Sequence, residues 1–438
     1  MLSGILLLAS LVGKSQQQFS LAEARAYALE HNYQAKNATY EVELARRKVK
    51  ETIAIGLPQV SGSVSYNNYI EQPVQLVPAE FFGGNPGEFQ EVVFATEQNA
   101  TADLTARQLL FDGSYIVGLQ ATKAFVELSN NQKRLTELEV IEAVSNAYQM
   151  VLVANENVAL LEQSLQQLKK LWKETEAMYE SGFVEESDVD QLAINYKNVE
   201  NSFNNAQVQA EVSLKMLKFQ LGLPFNREIV LTDEIDDLAL LQSDQGFFET
   251  TFDVMQNANY KLAATNLSLQ GLNLKKEKSA FLPQLSMFAT HQQNAFANDF
   301  NFLSSDAQWF PTTLVGVSLN VPIFSSGMRM QKVSQAKIVM KQAEQTLKQA
   351  RQGAELELLN AKAEYNNALA QYRNEKSSLA LAEKIKQKTA IKYQEGIASS
   401  FELTQAETQY LNTQGQYIQA TFNLLSSKTR LDKALNNF

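Results

Sequence analysis

Apolar residues recur every seven positions in two long segments of the chain. In the first segment this spacing runs through Val144, Val151, Val158, Leu165, Trp172 and Tyr179. In the second it runs through Leu358, Tyr365, Tyr372, Leu379 and Tyr393, with Lys386 as the charged exception. Heptads of this kind are typical of helices that pack side by side as coiled coils. We therefore predict two sets of long helices, each of which buries a narrow stripe and leaves its other faces wet.

The positions of proline set the length that these helices can reach. The eight prolines leave two long gaps, residues 87–223 and 323–438. Since proline in a helix interior costs about 3 kcal/mol, long helices are expected in these gaps. We predict one helix from about Ser114 to Ser181 and another from about Met328 to Glu395. At about 1.5 Å per residue, each would be on the order of 100 Å long.

Each proline-free gap contains one turn, which begins with the motif Tyr-x-x-Gly. Gly182 and Gly396 stand at the fourth position of this motif, and glycine suits the left-handed conformation that commonly ends a helix. Polar residues that can cap the next helix follow: Ser187 or Asp188 in the first turn, and Ser399 or Ser400 in the second. Each gap is therefore predicted to be an antiparallel helical hairpin.

Four shorter segments alternate between apolar and polar residues with a period of two. They run from Gln59 to Asn67, from Asn99 to Leu110, from Gln284 to Thr290 and from Val315 to Val321. Such alternation indicates strands with one apolar and one polar face, either in a half-buried soluble sheet or in a membrane, where a strand needs about 9–11 residues. Aromatic residues near the strand ends favour the membrane; they are Phe111 and Phe324 on one side, and Tyr69, Trp309 and Phe310 on the other.

The helices and strands form one pattern that occurs twice. The Leu-Pro-Gln motif before each strand pair recurs after 225 residues, the phenylalanine that ends each pair after 213, and the turn glycine after 214. The first of these offsets is larger than the other two because the first strand pair has the longer loop, roughly residues 71–95, which holds three prolines. Each half is therefore predicted to have the order helix, strand, strand, helix, helix.

Composition excludes several kinds of chemistry. The chain has no cysteine, so it forms no disulfides, and its two histidines make a metal site improbable; we predict no metal and no cofactor. The formal charge of −10 argues against nucleic acid as a partner. No nucleophile elbow, P-loop or zinc-protease motif is present, so we predict that the protein is not an enzyme. Two acidic pairs are interpreted as a solvated band rather than a metal site: Asp233-Glu234 and Asp236-Asp237.

The first residues suit an export signal. The apolar run from Ile5 to Val12 is followed by the small residues Gly13 and Ser15, which favours cleavage after Ser15. The alternative is a buried N-terminal helix. The run is far shorter than the roughly 20 residues that a spanning helix needs. A membrane crossing would therefore have to use the strands.

Four strands cannot close a barrel by themselves, and open strand edges are not tolerated in lipid. Barrels begin at about eight strands, and that number leaves an interior filled with side chains. Since a conducting pore needs a wider barrel, three chains of four strands are favoured over two. We therefore predict a mainly α-helical protein with a membrane β-barrel, in which a trimer supplies twelve strands and a second barrel consists of long coiled-coil helices.

This arrangement resembles the TolC-like outer membrane efflux proteins, over nearly the whole chain from Phe19 onward. The resemblance rests on motifs that recur in order in both halves. They are the Leu-Pro-Gln entry to each strand pair, the exits that begin at Phe111 and Phe324 and end in glycine, the two Tyr-x-x-Gly turns, and the Leu-Gly-Leu-Pro sequence at residues 221–224. Each motif is weak alone, but their order and duplication are specific.

The resemblance implies a homotrimer in the cell outer membrane, surrounded by its lipid, with a helical tunnel in the periplasm. Such channels carry drugs, metals or proteins outward as part of a tripartite complex with a periplasmic adaptor protein and an inner-membrane transporter. A soluble periplasmic coiled-coil scaffold or adhesin is the alternative function. It would explain the heptads but not the paired strands.

The resemblance also implies a gate and an adaptor-docking site at the two turns, formed by Gly182, Phe183, Asp188, Tyr393, Gly396 and Glu402. In relatives, a tyrosine and an arginine of the second turn bind neighbours that include an aspartate of the first. Tyr393 and Asp188 match the tyrosine and the aspartate, but Ala398 replaces the arginine. Because the arginine is missing, we expect a weaker or differently held gate. Glu402 and Gln405 stand where two acidic residues ring the constriction, so we expect a ring of three carboxylates instead of six. The ordinary alternatives are a coiled-coil residue for Tyr393 and a helix cap for Asp188.

These predictions divide the chain into eight parts. They are a signal peptide remnant (1–15), an N-terminal periplasmic helix (16–56), the first β-hairpin of the membrane barrel (57–111), the first long helical hairpin (112–223), an equatorial segment (224–245), a periplasmic helix (246–281), the second β-hairpin (282–324) and the second long helical hairpin (325–438).

Overall fold

The computed structural model describes residues 17–235, 238 and 252–438. The predicted signal segment, residues 1–15, and the pair Asp236-Asp237 lie outside these residues. The chain divides into two compact units. The helical unit comprises Met1–Glu43, Leu128–Ala264 and Gln345–Phe438, and the sheet unit comprises Leu44–Glu127 and Thr265–Glu344.

Long helices dominate the described residues. The main helices are α1 (Leu21–His31), α2 (Tyr33–Ile55), α3 (Gly113–Glu180), α4 (Glu186–Leu221), α5 (Ala258–Ser279), α6 (Met328–Gln394) and α7 (Ser400–Ala434). The strands are β1 (Gln17–Phe19), β2 (Gln59–Asn68), β3 (Val74–Pro78), β4 (Phe89–Val93), β5 (Gln98–Phe111), β6 (Ile229–Leu231), β7 (Gln284–Ala297) and β8 (Trp309–Asn320). The two long helices predicted from the heptads and the proline gaps are α3 and α6, and their ends lie within one residue of the predicted positions.

The predicted heptad stripes form the contacts within each helical hairpin. In the first hairpin, Val158 and Leu165 of α3 are partly buried and pack against a cluster that contains Val199 of α4. In the second, Tyr365 of α6 is buried with Leu424 of α7. Burying an apolar side chain of this size contributes about 1.5–3 kcal/mol. In the described parts of the chain, none of the helices has a stretch long and apolar enough to span a membrane.

The N-terminal segment, predicted as one helix, forms two. The helices α1 and α2 are separated at Asn32, whose backbone leaves the helical region with φ −58° and ψ 140°. The Asn32 side-chain oxygen accepts hydrogen bonds from the backbone N–H of Gln34 at 2.7 Å and of Ala35 at 3.3 Å. Asparagine thus starts α2 by satisfying N–H groups that have no partner inside the helix.

Gly222 ends α4 where the chain passes very close to α1. It adopts the left-handed conformation with φ 71°, and a Cβ atom added there would lie 2.4 Å from the His31 carbonyl oxygen. The Asn32 side chain donates to the Gln220 carbonyl oxygen at 2.7 Å. The Leu-Gly-Leu-Pro motif therefore holds the end of the first hairpin against the α1–α2 junction.

The acidic residue Asp233 is structural, which differs from the solvated band predicted for it. The short strands β1 and β6 pair in parallel, with Phe19 opposite Leu231. Just beyond β6, the Asp233 carboxylate accepts a hydrogen bond from Leu21 N at 2.7 Å, while the buried Tyr148 hydroxyl donates to the Phe19 carbonyl oxygen at 2.9 Å. Asp233 therefore satisfies a backbone N–H at the start of α1.

The sheet unit contains one antiparallel sheet with strand order β2-β5-β7-β8. The two predicted strand pairs are joined side by side, because β5 of the first pair runs against β7 of the second from Gln98 opposite Ala297 to Phe111 opposite Leu285. The four predicted strands per chain are confirmed. Their neighbours across the two halves could not be read from the sequence.

The two faces of this sheet differ in polarity, as the alternation predicts. On one face polar side chains are bonded across the strands: Asn67 to Asn99 at 2.9 Å, Thr101 to Asn294 at 3.0 Å, and Thr105 to Thr290 at 3.0 Å. The opposite face carries Val60 and Val64 of β2, Leu104 of β5, and Val315 and Val317 of β8, all of them exposed. One polar cluster interrupts this apolar face, where the His291 ring contacts the Thr313 hydroxyl at 2.9 Å.

The loop between β7 and β8 supplies aromatic residues that the sequence patterns did not single out. Phe302 is buried in a cluster with Ala100, Ala295 and Trp309, and its ring lies 5.9 Å from that of Tyr66. These side chains form an aromatic cluster at the end of the apolar face, which matches the aromatic bands of membrane strands.

Three strand predictions need correction. The strand β8 begins at Trp309 and ends at Asn320, because Pro322 cannot donate a hydrogen bond to a neighbouring strand. Phe324 therefore lies beyond the strand, and its side chain is 84% exposed. The strand β7 extends past the predicted Thr290 to Ala297. The segment from 71 to 95, predicted as a loop, contains the hairpin of β3 and β4, with Val74 opposite Val93.

Candidate gate at the helix turns

The two Tyr-x-x-Gly turns have the same backbone geometry. Gly182 and Gly396 adopt φ angles of 75° and 74°. After each glycine the next residue bonds back into the helix: Phe183 N donates to Met178 O at 2.9 Å, and Ile397 N to Lys392 O at 2.8 Å. Both helices α3 and α6 therefore end as the glycine positions predict.

The starts of the following helices are capped differently in the two turns. In the second turn, Ser399 is the N-cap, as predicted. Its hydroxyl accepts a hydrogen bond from Glu402 N at 3.2 Å, and the Glu402 carboxylate accepts one from Ser399 N at 3.0 Å. In the first, the N-cap is Glu185 and not the predicted Ser187 or Asp188. The helix starts earlier there because the Asp188 carboxylate reaches back to Glu185 N, at 3.3 Å, as in a capping box.

Asp188 connects the two turns. One oxygen of its carboxylate caps the start of α4, and the other accepts a hydrogen bond from the buried hydroxyl of Ser400. Hydrogen bonds to a charged group contribute about 1.5–3 kcal/mol. Ser400 was expected only as a possible cap, so this link between the turns was missed from the sequence.

Tyr393 lies inside the contact between the hairpins. It is 6% exposed and packs in one cluster with Leu192 and Leu403. Its hydroxyl lies 3.0 Å from the hydroxyl of the fully buried Thr175, with which it shares a hydrogen bond. Burial raises the pKa of Tyr393, and the nearby Asp188 adds to the increase. The two matched residues of the predicted gate therefore have separate partners within the chain, Thr175 for Tyr393 and Ser400 for Asp188.

Three large apolar side chains at the turns face solvent. The exposed fractions are 79% for Phe183, 69% for Ile397 and 67% for Phe401. Phe183 and Ile397 occupy the same position after the two turn glycines. Ala398, which stands in place of the arginine of relatives, is partly buried beside the Tyr393 cluster. The turns therefore present an apolar surface, and Phe183 is its one residue that belongs to the predicted site.

A buried ion pair lies between α6 and α7. Lys386, the exception in the heptad, places its ammonium 3.3 Å from the Glu407 carboxylate, and the two side chains are 12% and 5% exposed. The same ammonium lies 4.1 Å from the centre of the Tyr410 ring, a distance that permits a cation–π interaction. Burial raises the pKa of Glu407, and Lys386 opposes this increase. The pair borders a groove of about 420 Å³ that Leu168 of α3 also lines.

The described residues contain no group of three or more histidine, aspartate or glutamate side chains arranged to hold a metal ion. The contacts described at the turns are hydrogen bonds, a buried ion pair and apolar packing. Such a site can hold two helical hairpins together or release them, and it can bind a partner.

The fold and the turns together define a class of protein: a strand-and-helix channel subunit whose long helical hairpins meet at paired turns. The chain belongs to the outer membrane efflux protein family, whose model matches residues 24–223 and 256–437. The family identifies the protein as an outer membrane efflux channel, which decides against the alternative of a scaffold or adhesin. The family and the fold are those of channel proteins and not of known enzymes.

Solved structures of efflux channels share this fold. The outer membrane channel CmeC of Campylobacter jejuni is 19% identical, with a TM-score of 0.72 over 95% of this chain and 85% of that chain. The outer membrane protein VceC of Vibrio cholerae is 17% identical, with a TM-score of 0.70 over 95% of both chains. The open state of the MtrE channel of Neisseria gonorrhoeae is 15% identical, with a TM-score of 0.65 over 95% of this chain and 88% of that chain. A sequence search of curated proteins found no match.

Proposed function

We propose that three copies of the chain form the efflux channel, with twelve strands closing one barrel in the outer membrane and the long helices forming a tunnel in the periplasm. The observation that carries this proposal is the sheet β2-β5-β7-β8, whose outer strands have no strand partner on their free edges among the described residues. These strands are 10 and 12 residues long. Unpaired backbone groups in lipid cost several kcal/mol each, so β8 of one copy must pair with β2 of the next.

Exposed apolar residues on the helices support the same assembly. On α6, Leu356 and Leu359 are 59% and 67% exposed, and on α4 Val208 is 61% exposed. Apolar side chains at helical spacing that face away from their own hairpin are suited to contact a second helix. Neighbouring copies in a ring would cover them.

The turns are proposed to dock a periplasmic adaptor protein, which connects the channel to an inner-membrane transporter. The exposed side chains of Phe183, Ile397 and Phe401 are suited to an apolar partner surface, because burying each on docking would remove apolar area from water. The same turns are proposed to close the tunnel at rest. The bonds of Asp188 to Ser400 and of Tyr393 to Thr175 hold the two hairpins of one chain together, and Glu402 contributes one carboxylate per chain to a ring at the constriction.

Cross-linking between strand edges tests the assembly. The chain has no cysteine, so a series of double-cysteine variants can be made. Each variant carries one cysteine at Val64 of β2 and a second at one position of β8 between Thr312 and Leu319. We expect oxidation of the purified protein in detergent to give covalent trimers at the positions that face Val64 across the edge. The products are separated on denaturing gels with and without reductant.

The matched control places the first cysteine at Ala102 of the central strand β5 and keeps the same series on β8. The central strand already has both neighbours within the chain, so these pairs should give no covalent trimer. Monomers at every position of the β2 series, or equal trimer yields in both series, would reject the shared barrel.

A further inference from the structure

Positive charge is almost absent from the strands of the four-stranded sheet and from the loops that join them. No lysine or arginine occurs between Lys50 and Arg107, or between Lys278 and Arg329. The four strands of the sheet, and the loops that join β2 to β5 and β7 to β8, lie within these two segments, except for the last five residues of β5, from Arg107 to Phe111. In the connections from β2 to β5 and from β7 to β8, every charged side chain is acidic. These residues are Glu71, Glu80, Glu88, Glu91, Glu97, Asp299 and Asp306.

One carboxylate stands on the polar face of the sheet itself. Asp103 lies opposite Ser63 on β2 and opposite Gln292 on β7, and it accepts a hydrogen bond from the Ser63 hydroxyl. The other residues of this face on the four strands are neutral, apart from Arg107. Arg107 follows Asp103 by four residues on β5, which corresponds to about 13 Å along the strand. This distance exceeds the screening length of about 8 Å at physiological salt, so Arg107 compensates the charge of Asp103 only weakly.

We infer that the outer part of the channel selects for cations, and that Asp103 is the residue of the barrel that determines this selectivity. The inference rests on the proposed trimeric barrel, in which the polar face lines the lumen and three copies of Asp103 surround it. A lumen lined by charge of one sign concentrates the opposite sign. The loops at the exit carry the same sign, so no basic group there attracts anions or repels a departing cation. The favoured cargo class is therefore cationic, such as organic cations or amines that are protonated at neutral pH.

Reversal potentials in planar bilayers test this inference. Reversal potentials are measured across a potassium chloride gradient in a channel that carries Tyr393→Phe and Asp188→Ala, which are proposed to leave the turns open. This open channel is the reference for the variants below. In about 0.15 M salt, where the screening length is about 8 Å, we expect potassium to be at least about threefold more permeant than chloride. Asp103→Asn should reduce this ratio at least about twofold, because it keeps an acceptor for Ser63 but removes the charge.

Three further variants separate the effect of charge from effects on folding. Asp103→Glu should retain the cation preference, and Arg107→Gln should increase it, since it removes the nearby positive charge. Glu211→Gln removes an equal charge from an exposed position on α4 and should leave the ratio unchanged. If neither Asp103→Asn nor Arg107→Gln changes the ratio of potassium to chloride permeability, the inference is overturned. This holds even if the reference channel is cation-selective through its turns. If wild type forms no trimers and no channels, the proposed function fails instead.

Discussion

At the scale of single residues, the two turns are bonded to each other without the arginine that the family resemblance predicts. Ala398 removes a charged contact, yet Asp188 bonds to Ser400 and Tyr393 bonds to Thr175. Tyr393 and Asp188 could be matched from the sequence through the family resemblance. Their partners could not, because Ser400 is 212 residues from Asp188 and Thr175 is 218 residues from Tyr393, and neither pair follows from local spacing.

The gate residues lead to a prediction about conductance. Replacing Tyr393 by Phe and Asp188 by Ala removes these two hydrogen bonds near the turns, each worth about 1 kcal/mol or more. We expect the double variant to show a higher single-channel conductance than wild type in planar bilayers, and Ser400→Ala alone to show a smaller increase.

The matched control is Tyr179→Phe at the equivalent position of the first turn, where the tyrosine is 42% exposed. It should leave the conductance unchanged. Equal conductance in wild type and the double variant would show that these two bonds do not hold the turns closed.

The buried carboxyl of Glu407 makes stability depend on pH. Since burial raises its pKa above the ordinary value of 4.5, the folded chain holds this proton more tightly than the unfolded chain. Its contribution to stability is fully present below pH 4.5 and is lost as the pH rises through the raised pKa. We expect the melting temperature of wild type to fall relative to that of Glu407→Gln as the pH rises from 4.5 to 7.5, measured by circular dichroism in detergent.

The groups that face Glu407 are Lys386 from α6 and Tyr410 from its own helix, and Lys170 and Glu174 of α3 border the same groove. These groups are shared by wild type and the Gln variant, so the difference between the two isolates the Glu407 proton. Parallel melting curves across this pH range would contradict the prediction.

At the scale of helices and strands, local signals were sufficient for most boundaries. Proline gaps and turn glycines predicted α3 and α6 to within one residue. Prediction failed where a side chain changed the local geometry, as Asn32 does between α1 and α2 and as Asp188 does at the start of α4. It also failed at β7 and β8, because their outer parts no longer alternate strictly between apolar and polar residues.

The helix-ending glycines allow strain and steric contact to be separated. An alanine at Gly396 has open space around its Cβ and should cost only the left-handed strain, about 1–2 kcal/mol. An alanine at Gly222 meets the His31 carbonyl oxygen as well, and should cost about 1–3 kcal/mol more. We expect Gly222→Ala to lower the free energy of unfolding clearly more than Gly396→Ala in denaturant titrations. Equal losses would show that the close approach at His31 relaxes without cost.

At the scale of the whole molecule, the proposed trimer accounts for features of the sheet and of the helix faces that a single chain leaves exposed. The free edges of β2 and β8, and exposed residues such as Leu359, are unfavourable in isolation. They become favourable only when further copies cover them. The cross-linking and selectivity experiments therefore test properties that belong to the assembly and not to the single chain.

The sequence by itself determined the long helical hairpins, the four strands, the internal duplication and the membership of an export family. These features follow from residues close together in the chain, through heptad spacing, alternation, proline and glycine. Only the tertiary structure decided that β5 pairs with β7, that Asp188 joins the two turns, and that Lys386 finds Glu407. Such pairings join distant parts of the chain, and they depend on how the hydrophobic stripes and strand faces pack, which local periodicity does not specify. The duplication predicts two similar halves, but the contacts between them come from packing alone.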